Sequence, residues 1–432
     1  MGRGRGRWQQ MSDMNFMERE RNKDRLRRNI IEAGSSAGTE MGAEEEEIVR
    51  AAEQSSRKRR LMTILGAVVI LAAIFIMYRY YRDHHLYGDY SVSWTREIPA
   101  TEGSFTGFER FGDNVLKYTK DGASYINKNG NTVWSISYEM KSPVCCVNGD
   151  YAVIADQQGN DIHICSLTGE TGQATTNLPI MRASVSAHGV TAAIVEDATS
   201  SYVSFFKPDG STLEWGIKTV LSGNGYLMDV AISPDGTQVM LSDVYLSSGV
   251  LGNRIVFYNF SEYGKSYPDR LVGGFDEFGQ NLCPRVRFLS DRRAVAFSSG
   301  QVAFYSLENV TSPALLAMAE FEDEIRGVAW SDRYVAVVTA DSSGEYDSRL
   351  HVYNANGSEV SSVGFTFPWQ AIDIDRDFVI LRSEDSAKII GVNGKERFTG
   401  SFDFSFSRIV RGSGINSLIV TGGDTVREVR LK

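Results

Sequence analysis

From about residue 91 to Lys432, short runs rich in Val, Ile, Tyr and Phe alternate with Gly, Asn, Asp and Ser, and tight-turn signals return at a regular interval. One series stands at Gly112, Gly149, Gly189, Gly236, Asp291, Asp332, Arg376 and Gly414, 37 to 55 residues apart. A second series, farther along each unit, includes Asn129-Gly130, Thr168-Gly169, Asp209-Gly210, Asn356-Gly357 and Asn393-Gly394. Two tight turns in a unit of roughly 40 residues fit a four-stranded antiparallel sheet repeated radially. The spacing therefore predicts an all-β domain, an eight-bladed β-propeller. Seven blades is the alternative, because the fourth unit is stretched between Val239 and Phe278.

The last unit, residues 408–431, is too short for four strands. The alternating run 91–98, with Trp94 in it, is placed to supply the outer strand of that unit. Closing the ring in this way removes free sheet edges.

Ahead of the ring, the charge-free run from Leu61 to Met77, edged by Tyr78, Tyr80 and Tyr81, has the length of a membrane-spanning helix. Its flanks are unequal: Arg57, Lys58, Arg59 and Arg60 stand before it, and only Arg79 and Arg82 just after it. The more basic flank is expected in the cytoplasm, which puts the N-terminus inside and the ring outside. The run begins too deep in the chain for an ordinary signal peptide, and it reads as a retained anchor. The expected organisation is a partly disordered cytoplasmic tail (1–60), a transmembrane helix (61–81), a linker (82–90) and an extracytoplasmic propeller (91–432).

Charge follows the same division. Residues 1–60 carry 14 Lys/Arg and 11 Asp/Glu, and Arg79 with Arg82 brings the first 82 residues to +5; a whole-chain charge of −9 then leaves −14 for the remainder. A domain so acidic is not built to follow a phosphate backbone, and no nucleic-acid partner is expected. In the tail, Gly2-Arg3-Gly4-Arg5-Gly6-Arg7 is low-complexity, whereas residues 11–31 place Met14, Met17, Leu26, Ile30 and Ile31 at roughly helical spacing. That segment reads either as an interfacial or cytoplasmic partner-binding helix or as a solvated one.

The units resemble blades of the WD-repeat and quinoprotein-like propellers. Ile232-Ser233-Pro234-Asp235-Gly236, followed by Thr237-Gln238-Val239, resembles the turn between first and second strands in many such blades. Asn129-Gly130-Asn131-Thr132-Val133-Trp134 is similar to an inter-strand turn of quinoprotein-like blades. The resemblance covers the ring only and implies a fold, not an activity, and the WD dipeptide itself is missing. A single-pass anchor joined to such a ring also resembles envelope proteins of Gram-positive bacteria, a likeness that brings no mechanism.

Alignment of the units places an acid at or just after the second strand in seven of them: Asp121, Asp156, Asp197, Asp243, Asp341, Asp385 and Asp424. Turn capping by Asp explains such a pattern, and an acidic rim for a cationic partner is the alternative. Lys141, Arg182, Arg285, Arg326 and Arg408 stand at the start of the innermost strands, where they would ring the mouth of the central channel. They either receive a carboxylate or an acidic peptide, or are consumed in structural ion pairs. Phe275, Phe278, Phe365, Phe367 and Trp369 fall on the same face as candidate partner contacts, with Phe402, Phe404 and Phe406 alternating like one strand face.

Chemistry-bearing residues are sparse. The five histidines and four cysteines form no zinc spacing, no glycine-rich loop joins a strand to a helix, and Gly34-Ser35-Ser36-Ala37-Gly38 lies in the polar tail with no strand before it. No cofactor, metal or catalytic residue is expected. Cys145, Cys146, Cys165 and Cys283 are expected to be mostly buried free thiols. The reading that follows is a non-catalytic scaffold or interaction subunit of a bacterial envelope complex, in contact with the bilayer and other envelope membrane proteins. A sensor of a small anionic or glycan ligand, and an envelope polymer hydrolase, are the alternatives.

Overall fold

The computed structural model describes residues 61–78, 80–81, 85–98, 105–220, 223, 225–414 and 416–432. It forms two units, 1–81 and 82–432. In the first, Leu61–Tyr78 is a helix long and apolar enough to cross a bilayer, with every large apolar side chain exposed. The flank Arg57, Lys58, Arg59 and Arg60, the arginine-glycine repeat and the segment 11–31 lie outside the described residues.

The second unit is a ring of eight four-stranded antiparallel sheets, which answers the choice between seven and eight blades. Blades 1 to 7 are consecutive, at residues 106–137, 143–175, 180–220, 226–275, 285–320, 325–365 and 371–401. Blade 8 takes its three inner strands from residues 408–431 and its outer strand from Tyr90–Glu97, paired antiparallel with Thr425–Leu431. The first turn series joins the first and second strands of each blade, and the second joins the third and fourth.

The reason for a ring lies between the sheets. Eight buried apolar clusters fill the eight blade-to-blade interfaces, from Phe111, Leu116 and Ile154 between blades 1 and 2 to Ile98, Phe108 and Val426 between blades 8 and 1. A middle strand is covered on both faces, so Val335, Ala336, Val337 and Val338 are all fully buried and read as one continuous apolar run. An outer strand is covered on one face, and Thr132–Ser137 alternates accordingly. Each fully buried Leu, Ile or Phe contributes about 1.5–3 kcal/mol, and that stabilisation exists only when the neighbouring blade is present.

Adjacent blades also meet through turns. Gly210, in the last turn of blade 3, has φ +83°, and a Cβ there would lie 2.0 Å from the backbone oxygen of Gln173 in blade 2. Glycine both permits the left-handed backbone and allows the two blades to touch.

The stretch of the fourth unit has a local cause. Its second and third strands, Gln238–Ser247 and Val250–Asn259, are ten residues each and run out as a long hairpin. Two short 3-10 helices, Glu262–Ser266 and Pro268–Arg270, lengthen its next connection.

Candidate functional site

Each inner strand starts on the face that carries the blade-to-blade connections. On this face the central channel widens into a cavity of about 1150 Å³ walled by blades 2 to 7. Its charged lining is Arg182, Arg285, Arg287, Arg326 and Asp229, a net of +3 in a domain whose own charge is −14. Field lines from such a lining are focused by the surrounding low-dielectric walls.

The guanidinium groups differ in what holds them. Arg287 donates to Asp229 Oδ2 at 2.7 Å, and the same oxygen accepts the Val286 amide at 2.9 Å. Burial is the largest influence and works against the charge of Arg287, but Asp229 and Cys146 together leave its pKa raised. Arg285 is different: burial first, then the like charge of Arg287, lowers its pKa, and its guanidinium rests 5.6 Å from the centre of the Trp330 ring. Arg182 donates to the Met181 carbonyl at 2.9 Å, and Arg326 reaches the Asp347 carbonyl at 3.5 Å. Arg182, Arg285 and Arg326 make no ion pair among the described residues, and all three are exposed.

The other two bases lie elsewhere. Arg408 is consumed: it pairs with Glu109 of blade 1 at 3.2 Å and Asp373 of blade 7 at 3.0 Å. Lys141 is exposed outside the cavity wall, and it is its backbone amide, not its ammonium, that bonds Asp156. Sequence reading missed Arg287 and Asp229. Arg287 follows Arg285 by two residues and so shares its strand face, a signal present in the sequence; Asp229 belongs to the neighbouring blade, which no local spacing shows.

The expected aromatic face is corrected by burial. Phe278, Phe365 and Phe367 are buried in the clusters between blades, and Phe275 packs on Phe257 and Tyr305, because the outer strands and the connections that follow them carry these rings against the next blade. Phe402 and Phe406 are buried likewise. Trp369 alone of the five candidates lines the cavity, with its indole nitrogen 3.4 Å from Ser348 Oγ and its ring over Gly327.

The seven acids do not form a uniform rim. Asp243 lies inside its strand rather than after it, fully covered and paired with Arg254 at 2.9 Å, since the blade 4 hairpin runs on beyond it. Asp156 is buried and accepts the amides of Lys141 and Ser142. Asp341 pairs with Arg349 and accepts from Ser343. Asp197 caps the amides of Thr199 and Ser200, and Asp385 accepts from Ser386. Asp121 and Asp424 are exposed on turns, where their carbonyls accept from Tyr138 and Ile98. Turn capping and local pairing, rather than a cation site, explain most of the pattern. Among the described residues no three His, Cys, Asp or Glu side chains gather as metal ligands.

The four cysteines are free; Cys145 and Cys146 are half-buried on the cavity wall, and Cys165 and Cys283 are buried. Burial pushes the thiols of Cys165 and Cys283 up to about 12, which removes them from nucleophilic duty at neutral pH.

Closure by an N-terminal outer strand and a walled central cavity define an eight-bladed β-propeller with an open cationic mouth. The chain belongs to the family of unknown function DUF5711, whose sequence profile matches residues 82–431. No curated protein matches it in sequence. Among solved structures, the ring is similar to Sqt1 of Saccharomyces cerevisiae, with 11% identity, TM-score 0.51, and coverage of 81% of this chain and 100% of that one. BamB of Moraxella catarrhalis matches at 12% identity and TM-score 0.49 over 79% of this chain and 100% of its own. Chaetomium thermophilum Sqt1 bound to the N-terminus of ribosomal protein L10 matches at 13% and 0.47, over 76% and 92%. Identities this low speak to the fold alone.

Proposed function

We propose that this chain is a membrane-anchored, non-catalytic interaction scaffold of a bacterial cell-envelope assembly, and that its propeller receives a protein partner at the cationic mouth. The observation that carries the reading is the difference between Arg408, already satisfied by two carboxylates, and Arg182, Arg285 and Arg326, which face open space without one. Exposed arginines beside an aromatic ring are what the centres of protein interfaces are made from. The blade 4 hairpin adds an apolar tip on the same face, where Leu246, Val250 and Leu251 are exposed. The retained apolar helix confines whatever is bound to a membrane surface, with the ring outside and residues 1–60 inside. Within the ring unit, the amides of Gly88 and Asp89 donate to the Lys432 carbonyl on the face opposite the mouth.

Site-specific photocrosslinking in intact cells tests this reading. A photoreactive residue at Gln370, on the cavity wall, is expected to capture one discrete protein, and one at Asp332, on the opposite face, is expected not to. Absence of any adduct at Gln370, or the same adducts at both positions, would overturn it.

A further inference from the structure

Resting on that reading, we propose that the cavity is a binding site for an acidic peptide segment, whose carboxylates are taken by Arg182, Arg285 and Arg326. Three features of the wall select this ligand. A guanidinium presents a planar fork that matches a carboxylate in a bidentate pair, and the three unpaired forks stand on three different blades, 3, 5 and 6. A chain bearing several carboxylates can present one to each of the three. The cavity, at about 1150 Å³, lies at the upper end of the roughly 300–1,000 Å³ of typical small-molecule sites and has room for a peptide segment. Finally, the rest of the wall suits a polypeptide: Gln280 and Gln370 offer amides for main-chain groups, and Trp369 offers a flat apolar surface.

The charges on the wall already decide the sign. Asp229 is occupied by Arg287 and the Val286 amide, and it is the one carboxylate in the lining, so an incoming acid meets no competing anion with free capacity. Nucleic acid has the required negative charge but a uniform and much longer backbone, which the −14 of the surrounding domain repels. An acidic segment short enough to sit inside the mouth exposes only its few carboxylates to the cavity and escapes that penalty.

The test uses the full-length protein in detergent micelles and end-capped, fluorescein-labelled hexaglutamate, read by fluorescence anisotropy at about 0.15 M NaCl, where charges more than about 8 Å apart in solvent are screened. Saturable binding is expected, weakened about tenfold by each of R182A, R285A and R326A and partly retained in the matching lysine variants. Arg182 and Arg326 are exposed and unpaired, so circular dichroism and thermal melting should show unchanged folding in their variants, and R285K, which keeps a cation over Trp330, is the folding control at Arg285. Unlabelled hexaglutamate should compete, and inorganic phosphate at the same charge concentration should not. The proposal is overturned if hexaglutamate fails to bind, if the triple variant binds as well as wild type, if phosphate competes equally, or if an oligodeoxythymidylate of equal charge binds more tightly. The two readings separate cleanly. A discrete crosslink at Gln370 without hexaglutamate binding leaves the scaffold standing and removes the acidic ligand, whereas loss of both removes the mouth as an interface.

Discussion

Arg110, in the first blade, donates to Asp375, in the seventh, at 2.6 Å across 265 positions of sequence. The pair spans the inner edge of blade 8, the blade assembled from both ends of the domain. Asp375 also accepts the amide of Arg411 at 2.7 Å, so one buried carboxylate joins blades 1, 7 and 8. Arg408 joins the same three blades nearer the mouth through Glu109 and Asp373, and Arg376 reaches Asp113 at 3.1 Å. These charged groups are thus paired where the ring closes, whereas Arg182, Arg285 and Arg326 on the cavity wall make no ion pair among the described residues.

Removing Asp375 should therefore loosen closure. Its side chain is nearly covered, and Asp375→Ala leaves Arg110 and the Arg411 amide without their acceptor. A cost of about 3 kcal/mol is expected, near the lower end for breaking a buried pair because Arg110 retains some access to water. Chemical denaturation of the D375A variant measures it. In a double-mutant cycle with R110M, the two effects should fall short of additive.

Glu109 supplies a pH dependence of definite sign. Desolvation pushes its carboxyl above the ordinary value of 4.5, with Arg408 and Arg382 opposing and Asp373 adding to the rise. Folded Glu109 thus keeps its proton to a higher pH than the unfolded chain does. The stability it contributes is complete below about 4.5 and declines as pH rises through its folded pKa. The E109Q variant lacks this decline, so its melting temperature relative to wild type should climb from acidic toward neutral pH and then level. A fall in that difference would mean that Arg408 dominates the carboxylate.

The ring was legible in the sequence because its turns are local. Gly112, Gly149, Gly189 and Gly236 mark hairpins whose partners lie a few residues away, and the run around Trp94 showed both a strand pattern and a short final unit needing one. The site was legible only in part, since every decisive contact crosses blades. Nothing near Arg408 in sequence distinguishes it from Arg182, yet Glu109 and Asp373 consume one and leave the other open. Phe365 and Phe367 read as exposed aromatics for the same reason: the surface that covers them belongs to the next blade.

Gly210→Ala tests contact between blades at a turn. Alanine at φ +83° is strained, and its methyl would stand 2.0 Å from the Gln173 oxygen, an atom of the backbone that cannot rotate away. Blades 2 and 3 must separate or the turn must change type. A loss of at least about 2 kcal/mol in denaturant unfolding is expected. Gly249→Ala at the tip of the blade 4 hairpin has φ +81° but nothing within 4 Å, so it carries the backbone strain alone and should cost less.

Closure by the N-terminal strand gives the last prediction. Tyr90–Glu97 pairs along its length with Thr425–Leu431, and Trp94 packs with Ile98, Phe108 and Val426 in the interface between blades 8 and 1. A fragment of residues 85–432 keeps that strand, whereas one of residues 99–432 exposes Thr425–Leu431 as an unpaired edge beside an uncovered apolar face. Such an edge is a template for pairing with another chain. The longer fragment should elute as a monomer with one cooperative melt, and the shorter should associate or melt at a markedly lower temperature. A synthetic peptide of residues 85–98 added to the shorter fragment should restore the monomer, because it supplies the missing strand together with Trp94 and Ile98 of the eighth cluster. The same peptide with Trp94→Ala should restore it poorly, since truncating a packed tryptophan costs about 3–5 kcal/mol when fully buried and somewhat less at this partly exposed site.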